Sequence, residues 1–191
     1  RLTDIFPGAG SSNPSGLTNV EGTLFFTARD YPRPQGRNPP PPPSGTNGNE
    51  LWKSDGTTAG TALIKGIFPG SGNSDPFEYT EFDGAIFFNA QDFDTRNRRV
   101  PPPPGAKGRE LWKSDGTTAG TVLVKDIFPG SGSSVPSEFT ESGGTLFFAA
   151  SNGAGGRQLW KSDGTPAGTV LVKDLGGTQI FGLTAFGGNL V

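Results

Sequence analysis

The sequence predicts an all-β protein, a segment of a β-propeller built from four-stranded antiparallel blades. Three observations carry this prediction. One motif, ELWKSDGTTAG, occupies residues 50–60 and 110–120 and returns as QLWKSDGTPAG at 158–168. Glycine (31) and proline (18) are frequent in the 191 residues, while 15 phenylalanines and 3 tryptophans supply a core. Short apolar runs between turn residues indicate strands, with no helical period.

Each repeat contains four such runs, named strands a to d in chain order. They are GLTNV, FEYTEF, SEFTES and GLTAF for a, TLFFTA and its copies for b, ELWKS and its copies for c, and TALIK or TVLVK for d. Adjacent apolar residues such as Leu24 and Phe25 point to opposite faces of a strand, so we expect both faces of each sheet to be buried. Stacked four-stranded units of this length are typical of propeller blades, with a solenoid or a string of small sandwiches as the alternative.

The whole chain, residues 1–191, is predicted to be one propeller segment. Its repeat units span approximately 5–66, 67–126 and 127–174, and residues 175–191 begin the next. Three complete blades are fewer than the four to eight that normally close a ring. The sequence therefore predicts part of a larger propeller, whose exposed faces are covered by more of the same polypeptide or by another subunit.

The repeated motif is interpreted as structural. Trp52, Trp112 and Trp160 are expected to fill the space between neighbouring blades. The aspartates of the c–d turn are expected to accept backbone N–H bonds beside glycines with positive φ; they are Asp55, Asp115 and Asp163. Calcium binding is the alternative for these aspartates, but the turn lacks the alternating oxygen ligands of a calcium loop, so no metal is predicted.

Composition argues against catalysis. The chain has no Cys and no His, which removes thiolate chemistry, the usual general base and the commonest zinc ligand. We therefore predict no enzyme activity, no catalytic residue and no cofactor. A glycoside hydrolase using the nonrepeated pair Asp92 and Asp94 is the distant alternative. The net charge of −2 opposes nucleic-acid binding, and no apolar run is long enough for direct membrane insertion.

The motif carries a family resemblance across essentially the whole chain. ELWKSDGTTAGT followed by VLVKDI resembles the ELWxxDGTxxGT repeat of large secreted and surface proteins of bacteria and of the mastigoneme glycoprotein of green-algal flagella. The unit is also similar, more weakly, to sialidase-type propellers with an Asp-box turn between strands c and d. Ser54, Asp55, Gly56 and Thr57 are contiguous here, whereas the Asp-box spaces them.

Two long b–c loops, residues 29–49 and 91–109, distinguish the first two repeats from the third, whose loop spans only 151–157. Each contains a proline run expected to form an extended polyproline II rod. The algal resemblance implies hydroxylation and O-linked sugars on these prolines: Pro39, Pro40, Pro41, Pro42, Pro43, Pro101, Pro102, Pro103 and Pro104. Bare spacers and PxxP-type ligands are the alternatives.

Topology predicts that the b–c loops share one face with the d–a connections, and that the c–d turns lie opposite. The b–c loops contain eight Arg and one Lys against three Asp, a balance of +6, so the remainder carries −8. This basic rim could steer self-association or meet acidic polysaccharide; ordinary solvated loops are the alternative.

These observations predict a noncatalytic structural subunit of an extracellular filamentous appendage, located at a cell or flagellar surface. Its partners would be other copies or filament subunits, and covalent glycans would decorate the proline loops. The alternative function is a carbohydrate-binding or adhesive module of a bacterial surface protein.

Overall fold

A computed structural model describes residues 3–6, 10–31, 46–70, 72–95, 101–177, 180–186 and 189–190. It contains fourteen strands within these ranges. They are β1 (Ser15–Val20), β2 (Thr23–Ala28), β3 (Glu50–Ser54), β4 (Ala62–Lys65), β5 (Phe77–Phe82), β6 (Ala85–Gln91), β7 (Arg109–Ser114), β8 (Val122–Lys125), β9 (Ser137–Ser142), β10 (Thr145–Ala150), β11 (Gln158–Ser162), β12 (Val170–Asp174), β13 (Ala185–Phe186) and β14 (Asn189–Leu190).

The strands form three four-stranded antiparallel sheets, β1–β4, β5–β8 and β9–β12, each in sequential order, followed by the β13–β14 hairpin. This confirms the all-β prediction and the four strands of each repeat. Within the described ranges there is no helix, and hence none long and apolar enough to cross a membrane. The described sheets do not close into a ring, so the propeller stays a prediction.

Tight turns join strands a and b in each of the three four-stranded sheets. Val20 pairs with Thr23 across a two-residue loop in which both residues, Glu21 and Gly22, have positive φ. Two consecutive positive φ values match the twist of a hairpin, which explains why Gly occupies the second position of all three loops. The last loop uses two glycines, Gly143 and Gly144.

The register between strands is the same in each sheet. The tryptophan of strand c lies opposite a phenylalanine of strand b and a leucine of strand d; in the first sheet these are Phe26 and Leu63. A bulge on strand d leaves Ile64 unpaired between Leu63 and Lys65. Leu63 and Ile64 are consecutive in the strand and join the cores on opposite faces. Both faces of a sheet therefore carry large apolar side chains.

We call the face that carries Phe25, Leu51 and Ile64 the forward face of the first sheet, and the opposite face, with Phe26 and Trp52, its backward face. The forward faces of the first two sheets pack on the backward face of the sheet that follows, and most side chains of the two resulting cores are buried. The first core joins Phe25, Leu51 and Ile64 to Ile86, Phe88, Ala90 and Trp112. The second joins Phe87, Leu111 and Val124 to Leu146, Phe148, Ala150 and Trp160.

The third sheet is different on its forward side. Phe147 and Leu159 are only partly buried, and Val172 is 45% exposed, whereas the equivalent Ile64 and Val124 are 4% and 2% exposed. The whole of β12 is exposed. An apolar forward face is thus left open on the third sheet.

Candidate functional site

The c–d turn is the most repeated structure in the molecule. Asp55 Oδ1 accepts from the backbone N–H of Thr57 at 2.9 Å and from its hydroxyl at 2.7 Å. Thr57 Oγ1 then accepts from the N–H of Gly60 at 2.9 Å. The Thr57 hydrogen bonds hold the pKa of Asp55 below its usual value. The same bonds recur at Asp115 and Asp163, which places all three predicted aspartates in turn-closing positions.

The second glycine of the turn leaves no room for a side chain, because the turn aspartate packs against it. A Cβ on Gly60 would lie about 2 Å from the Asp55 carboxylate, and the same holds for Gly120 against Asp115 and Gly168 against Asp163. The motif thus couples its Asp to the Gly five residues later. Within the described ranges, no three Asp or Glu side chains are grouped to hold a metal ion.

The three tryptophans occupy equivalent places on the backward faces. Trp52 and Trp160 are buried at 9% and 6% exposure, and Trp112 is partly buried in the first core. Their indole Nε1 atoms are buried and find no acceptor among the described residues. Their contribution is therefore apolar packing, which for Trp112 and Trp160 lies between successive sheets.

Lysines at the end of strand d bridge successive sheets. Lys65 Nζ donates to the carbonyl oxygen of Thr121 at 2.7 Å, and Lys125 Nζ donates to that of Thr169 at 2.7 Å. Both acceptors end the c–d turn of the following sheet. Lys173 holds the same position in the third sheet, where it is exposed.

A buried glutamate lies at the start of strand c in the first two sheets, as the first residue of β3 (Glu50) and the second of β7 (Glu110). Glu50 accepts from the N–H of Ile67 at 2.9 Å, and from the N–H and hydroxyl of Ser74 at 3.0 and 2.6 Å. Glu110 makes the same bonds to Ile127 and Ser134. The carboxyl group clamps both ends of the following d–a connection onto strand c, and neither glutamate side chain is exposed.

Burial dominates the protonation of both glutamates. It raises the pKa of Glu50 to about 8 and that of Glu110 to about 7, and the serine and backbone donors offset only part of this rise. The third sheet replaces the glutamate with Gln158, which instead bonds Asn152 and Gly155 in its own b–c loop. Among the three four-stranded sheets, the carboxyl clamp is therefore present in the first two. We call the contact region between two successive sheets a joint, so each of the two joints has one such clamp.

Aspartates close the long b–c loops. Asp92 accepts from the N–H groups of Lys107 and Gly108 at 3.0–3.1 Å, and Asp30 accepts from the N–H of Asn47 at 2.7 Å. Because Asp30 does in the first loop what Asp92 does in the second, Asp92 has a repeated structural role. The nonrepeated member of the pair Asp92 and Asp94 is therefore Asp94, since Pro32 holds its position in the first repeat.

The basic loop residues that the structure describes are engaged with the fold. Arg109 is buried and donates to Asn89 Oδ1 at 2.6 Å and to the Asp75 carbonyl oxygen at 2.9 Å. Arg157 donates to the carbonyl oxygens of Val135 and Ala149, each at 2.8 Å. These arginines fasten b–c loops to d–a connections, so they do not belong to a free basic rim; Arg33, Arg37, Arg96, Arg98 and Arg99 lie outside the described residues.

The b–c loops and d–a connections lie at the same end of the sheets, as these contacts and the bond from Gly48 N–H to Gly72 O show. Of the proline runs, Pro101–Pro104 is exposed. The carbonyl oxygen of Pro103 accepts from Ala106 N–H at 3.1 Å, so Pro104 lies inside a turn. Pro39–Pro43 lies outside the described residues.

One cleft of about 790 Å³ opens at this end, between the first two repeats. Its walls are Arg29 and Asn49 from the first repeat, the d–a connection around Phe68, Asn73 and Asp75, and Gln91 and Asp94 from the second. Most of this lining is polar. Sequence reasoning missed the cleft because its residues come from three separated segments.

The described geometry defines a class of protein: a repeat protein of stacked four-stranded antiparallel sheets joined by lysine, glutamate and arginine contacts. Comparison with family models, with curated proteins and with solved structures finds no match to this chain.

Proposed function

We propose that this chain is a noncatalytic structural module, a propeller segment that extends by packing a further sheet of the same repeat on its third sheet. The observation that carries the proposal is the open forward face formed by Phe147, Leu159 and Val172. At both earlier joints the equivalent side chains are covered by the next sheet. Burial of such a face is favourable at about 25 cal/mol per Å² of apolar area.

Two features support another sheet of this repeat as the occupant. Lys161 and Lys173 are exposed beside the open face, and their counterparts Lys113 and Lys125 donate to carbonyl oxygens of the next c–d turn. The β13–β14 hairpin follows the third sheet, and Thr140 on β9 donates to the carbonyl oxygen of Leu183 just before that hairpin. A further strand a therefore already begins beside β9.

The propeller arrangement is supported by where the sheets meet. First strands approach one another in succession, β1 beside β5 and β5 beside β9. Such contacts are expected when first strands lie nearest a common axis and fourth strands lie outermost. We propose the ring, completed by further repeats, as the finished form of this stack.

The extracellular and filamentous part of the proposal rests on the family resemblance and on the exposed proline run. We propose that the module belongs to a mastigoneme-like surface appendage, and that its proline loops carry O-linked sugars through hydroxyproline. Peptide mass mapping of residues 29–49 and 91–109 from native material tests this. Hydroxyproline with attached pentoses is expected, and unmodified proline at all nine positions would reject the decoration.

Sedimentation velocity of the 191-residue chain tests the open face. We expect concentration-dependent association that Val172→Glu abolishes, because the substitution places a charge on the apolar surface. Leu17→Glu is the matched control, since Leu17 is 61% exposed on β1 of the first sheet. Association that survives Val172→Glu unchanged, or a wild-type chain that stays monomeric at every concentration, would overturn the docking surface.

A further inference from the structure

The cleft between the first two repeats has its side-chain acceptors engaged already. Asp75 Oδ1 accepts from Asn49 Nδ2 at 3.0 Å, and Gln91 Oε1 accepts from the Thr95 hydroxyl at 2.8 Å. Asp94 has an interaction of its own as well. A ligand that must donate hydrogen bonds is therefore poorly matched to the side chains of this cleft.

Donors, in contrast, remain available on two walls of the cleft. Asn73 Oδ1 accepts from Asn49 N–H at 2.8 Å, and Asn73 Nδ2 makes no hydrogen bond to any described residue. Arg29 Nε donates to the carbonyl oxygen of Ser11 at 3.2 Å, while its two terminal nitrogens have no hydrogen bond within the described part of the chain. The cleft thus presents N–H groups to a ligand that accepts.

An aromatic ring completes the lining. Phe68 is partly buried beside the exposed Pro69, and its ring lies so close to Gly72 that a Cβ on this glycine would overlap it. A fixed aromatic ring together with unused N–H donors suits a ligand that is apolar and has acceptors but no donors. A run of prolines has this chemistry, because each residue supplies a carbonyl oxygen and an apolar ring and has no N–H. Proline-rich segments in the polyproline II conformation dock in aromatic-lined grooves of this kind.

The chain carries such a segment at the same end of its sheets. Pro101–Pro104 is exposed, and of its four carbonyl oxygens only that of Pro103 has a partner among the described residues, Ala106 N–H. Four residues of polyproline II extend about 12 Å. The cleft volume of about 790 Å³ is within the range of about 300–1,000 Å³ typical of ligand sites. The run does not line the cleft of its own chain, so a docked run comes from another copy.

We propose that this cleft binds the proline run Pro101–Pro104 of a second copy of the chain. Arg29 and Asn73 donate to proline carbonyl oxygens, and the pyrrolidine rings pack against Phe68. Sugars on these prolines would cover the same rings, so decoration and docking exclude each other at any one loop.

The contact is small, and we expect it to be weak, with a dissociation constant of about 1 mM. Sedimentation at micromolar concentration therefore does not detect it. Neighbouring copies held in an assembly reach millimolar effective concentrations, at which such a contact forms. Its relevance to an assembly rests on the proposed function, whereas the contact itself does not.

NMR of the ¹⁵N-labelled chain tests the docking in a Val172→Glu background, which removes association through the open forward face. Between micromolar and millimolar concentration, the Asn73 side-chain amide and Arg29 Nε should show saturable shifts. Replacing Pro101–Pro104 with four alanines should abolish these shifts, and the same replacement at Pro39–Pro42 is the matched control. Shifts that survive the first replacement, or that the control replacement abolishes, would overturn the choice of this run.

A tetraproline peptide with blocked ends tests the cleft side separately. Asn73→Ser installs the residue of the second joint, where Ser133 Oγ still accepts from a backbone N–H at 3.1 Å, so the fold keeps its acceptor. Combined with Arg29→Gln, it should weaken peptide binding about tenfold, because both donors of the cleft are lost. Val135→Ala at the second joint should leave binding unchanged, and spectral dispersion reports the folding of each variant.

The cleft is rejected as a proline site if the peptide gives no saturable shifts there, or if the double variant binds it as tightly as the unsubstituted cleft. Because every measurement is made with Val172→Glu present, either result leaves the open-face test of the proposed function unaffected. Conversely, a chain that fails to associate through Val172 can still bind the peptide.

Discussion

Glu50 and Ser74 are joined twice: the serine donates both its backbone N–H and its hydroxyl to the same buried carboxyl group, at 3.0 and 2.6 Å. The bonds span 24 residues and fix the end of one d–a connection before the next sheet begins. Burial nevertheless raises the glutamate pKa, which makes this joint sensitive to pH.

Folding stability should fall as pH rises from about 4.5 to about 8. Glu50 has its ordinary pKa of 4.5 in the unfolded chain and about 8 in the folded one, and Glu110 behaves similarly with about 7. Within this window the folded state binds more protons than the unfolded state, so each rise in pH favours unfolding. The decline should level off above pH 8.

Urea denaturation across pH 4.5–9 measures this dependence. The double variant Glu50→Gln with Glu110→Gln copies the glutamine that the third repeat already carries at Gln158 and should flatten the profile in this window. If the two substitutions leave the dependence of the unfolding free energy on pH unchanged, the buried glutamates do not titrate between pH 4.5 and 8.

Gly120→Ala should destabilise the chain through Asp115. The added methyl group would lie about 2 Å from the carboxylate, which must move and lose its bonds to Thr117. We expect a loss of about 1–2 kcal/mol in the free energy of unfolding. In an Asp115→Ala background the same change should be neutral or stabilising by about 0.5 kcal/mol, because it restricts the unfolded chain. Thermal melting of the wild-type chain, the two single variants and the double variant gives the coupling energy between Gly120 and Asp115. Equal effects of Gly120→Ala in both backgrounds would show that the added methyl group does not disturb the Asp115 carboxylate.

Phe87 and Phe147 occupy the same place in successive repeats, but they should contribute differently to the free energy of unfolding. Phe87 is 2% exposed against the third sheet, so Phe87→Ala should cost about 3–5 kcal/mol. Phe147 lies on the open forward face, and Phe147→Ala should cost less than about half as much. Denaturant midpoints of the two variants measure the difference; equal losses would mean that the forward face of the third sheet is already covered.

Arg109→Ala should cost about 1–3 kcal/mol, because it leaves the buried Asn89 side chain and the Asp75 carbonyl oxygen without their donor. Arg109 also stacks 5.0 Å from the centre of the Phe77 ring. Arg109→Lys should recover only part of the loss, since an ammonium group lacks the planar fork. Lys161→Ala, at an exposed position, is the control and should have almost no effect on urea unfolding.

The strands and turns were predictable because they depend on local chemistry. Paired apolar residues such as Phe25 and Phe26 indicate a strand with two buried faces, and the Asp–Gly pair indicates the c–d turn, as the structure has them. These signals act within a few residues, where sequence spacing fixes geometry.

The polar contacts that join the sheets were not predicted, because they depend on residues distant in the chain. Glu50 looks like a surface residue beside Trp52 until the d–a connection folds over it. One signal was present: the two repeats with glutamate also have the partner serine, Ser74 or Ser134, and the repeat with Gln158 lacks that segment. The contacts of Arg109 and Arg157 with the d–a connections were not predicted for the same reason, since a count of charges does not tell which of them are buried.

The near identity of the two joints bears on how such a chain changes over generations. Each sheet presents a forward face that fits any backward face of the same pattern, and each lysine finds the same turn carbonyl on the next unit. A gene segment that encodes one unit can therefore be duplicated or deleted in frame without the invention of a new interface. Length becomes a heritable trait set by copy number, while side chains at a single joint, such as those of the cleft, remain free to diverge.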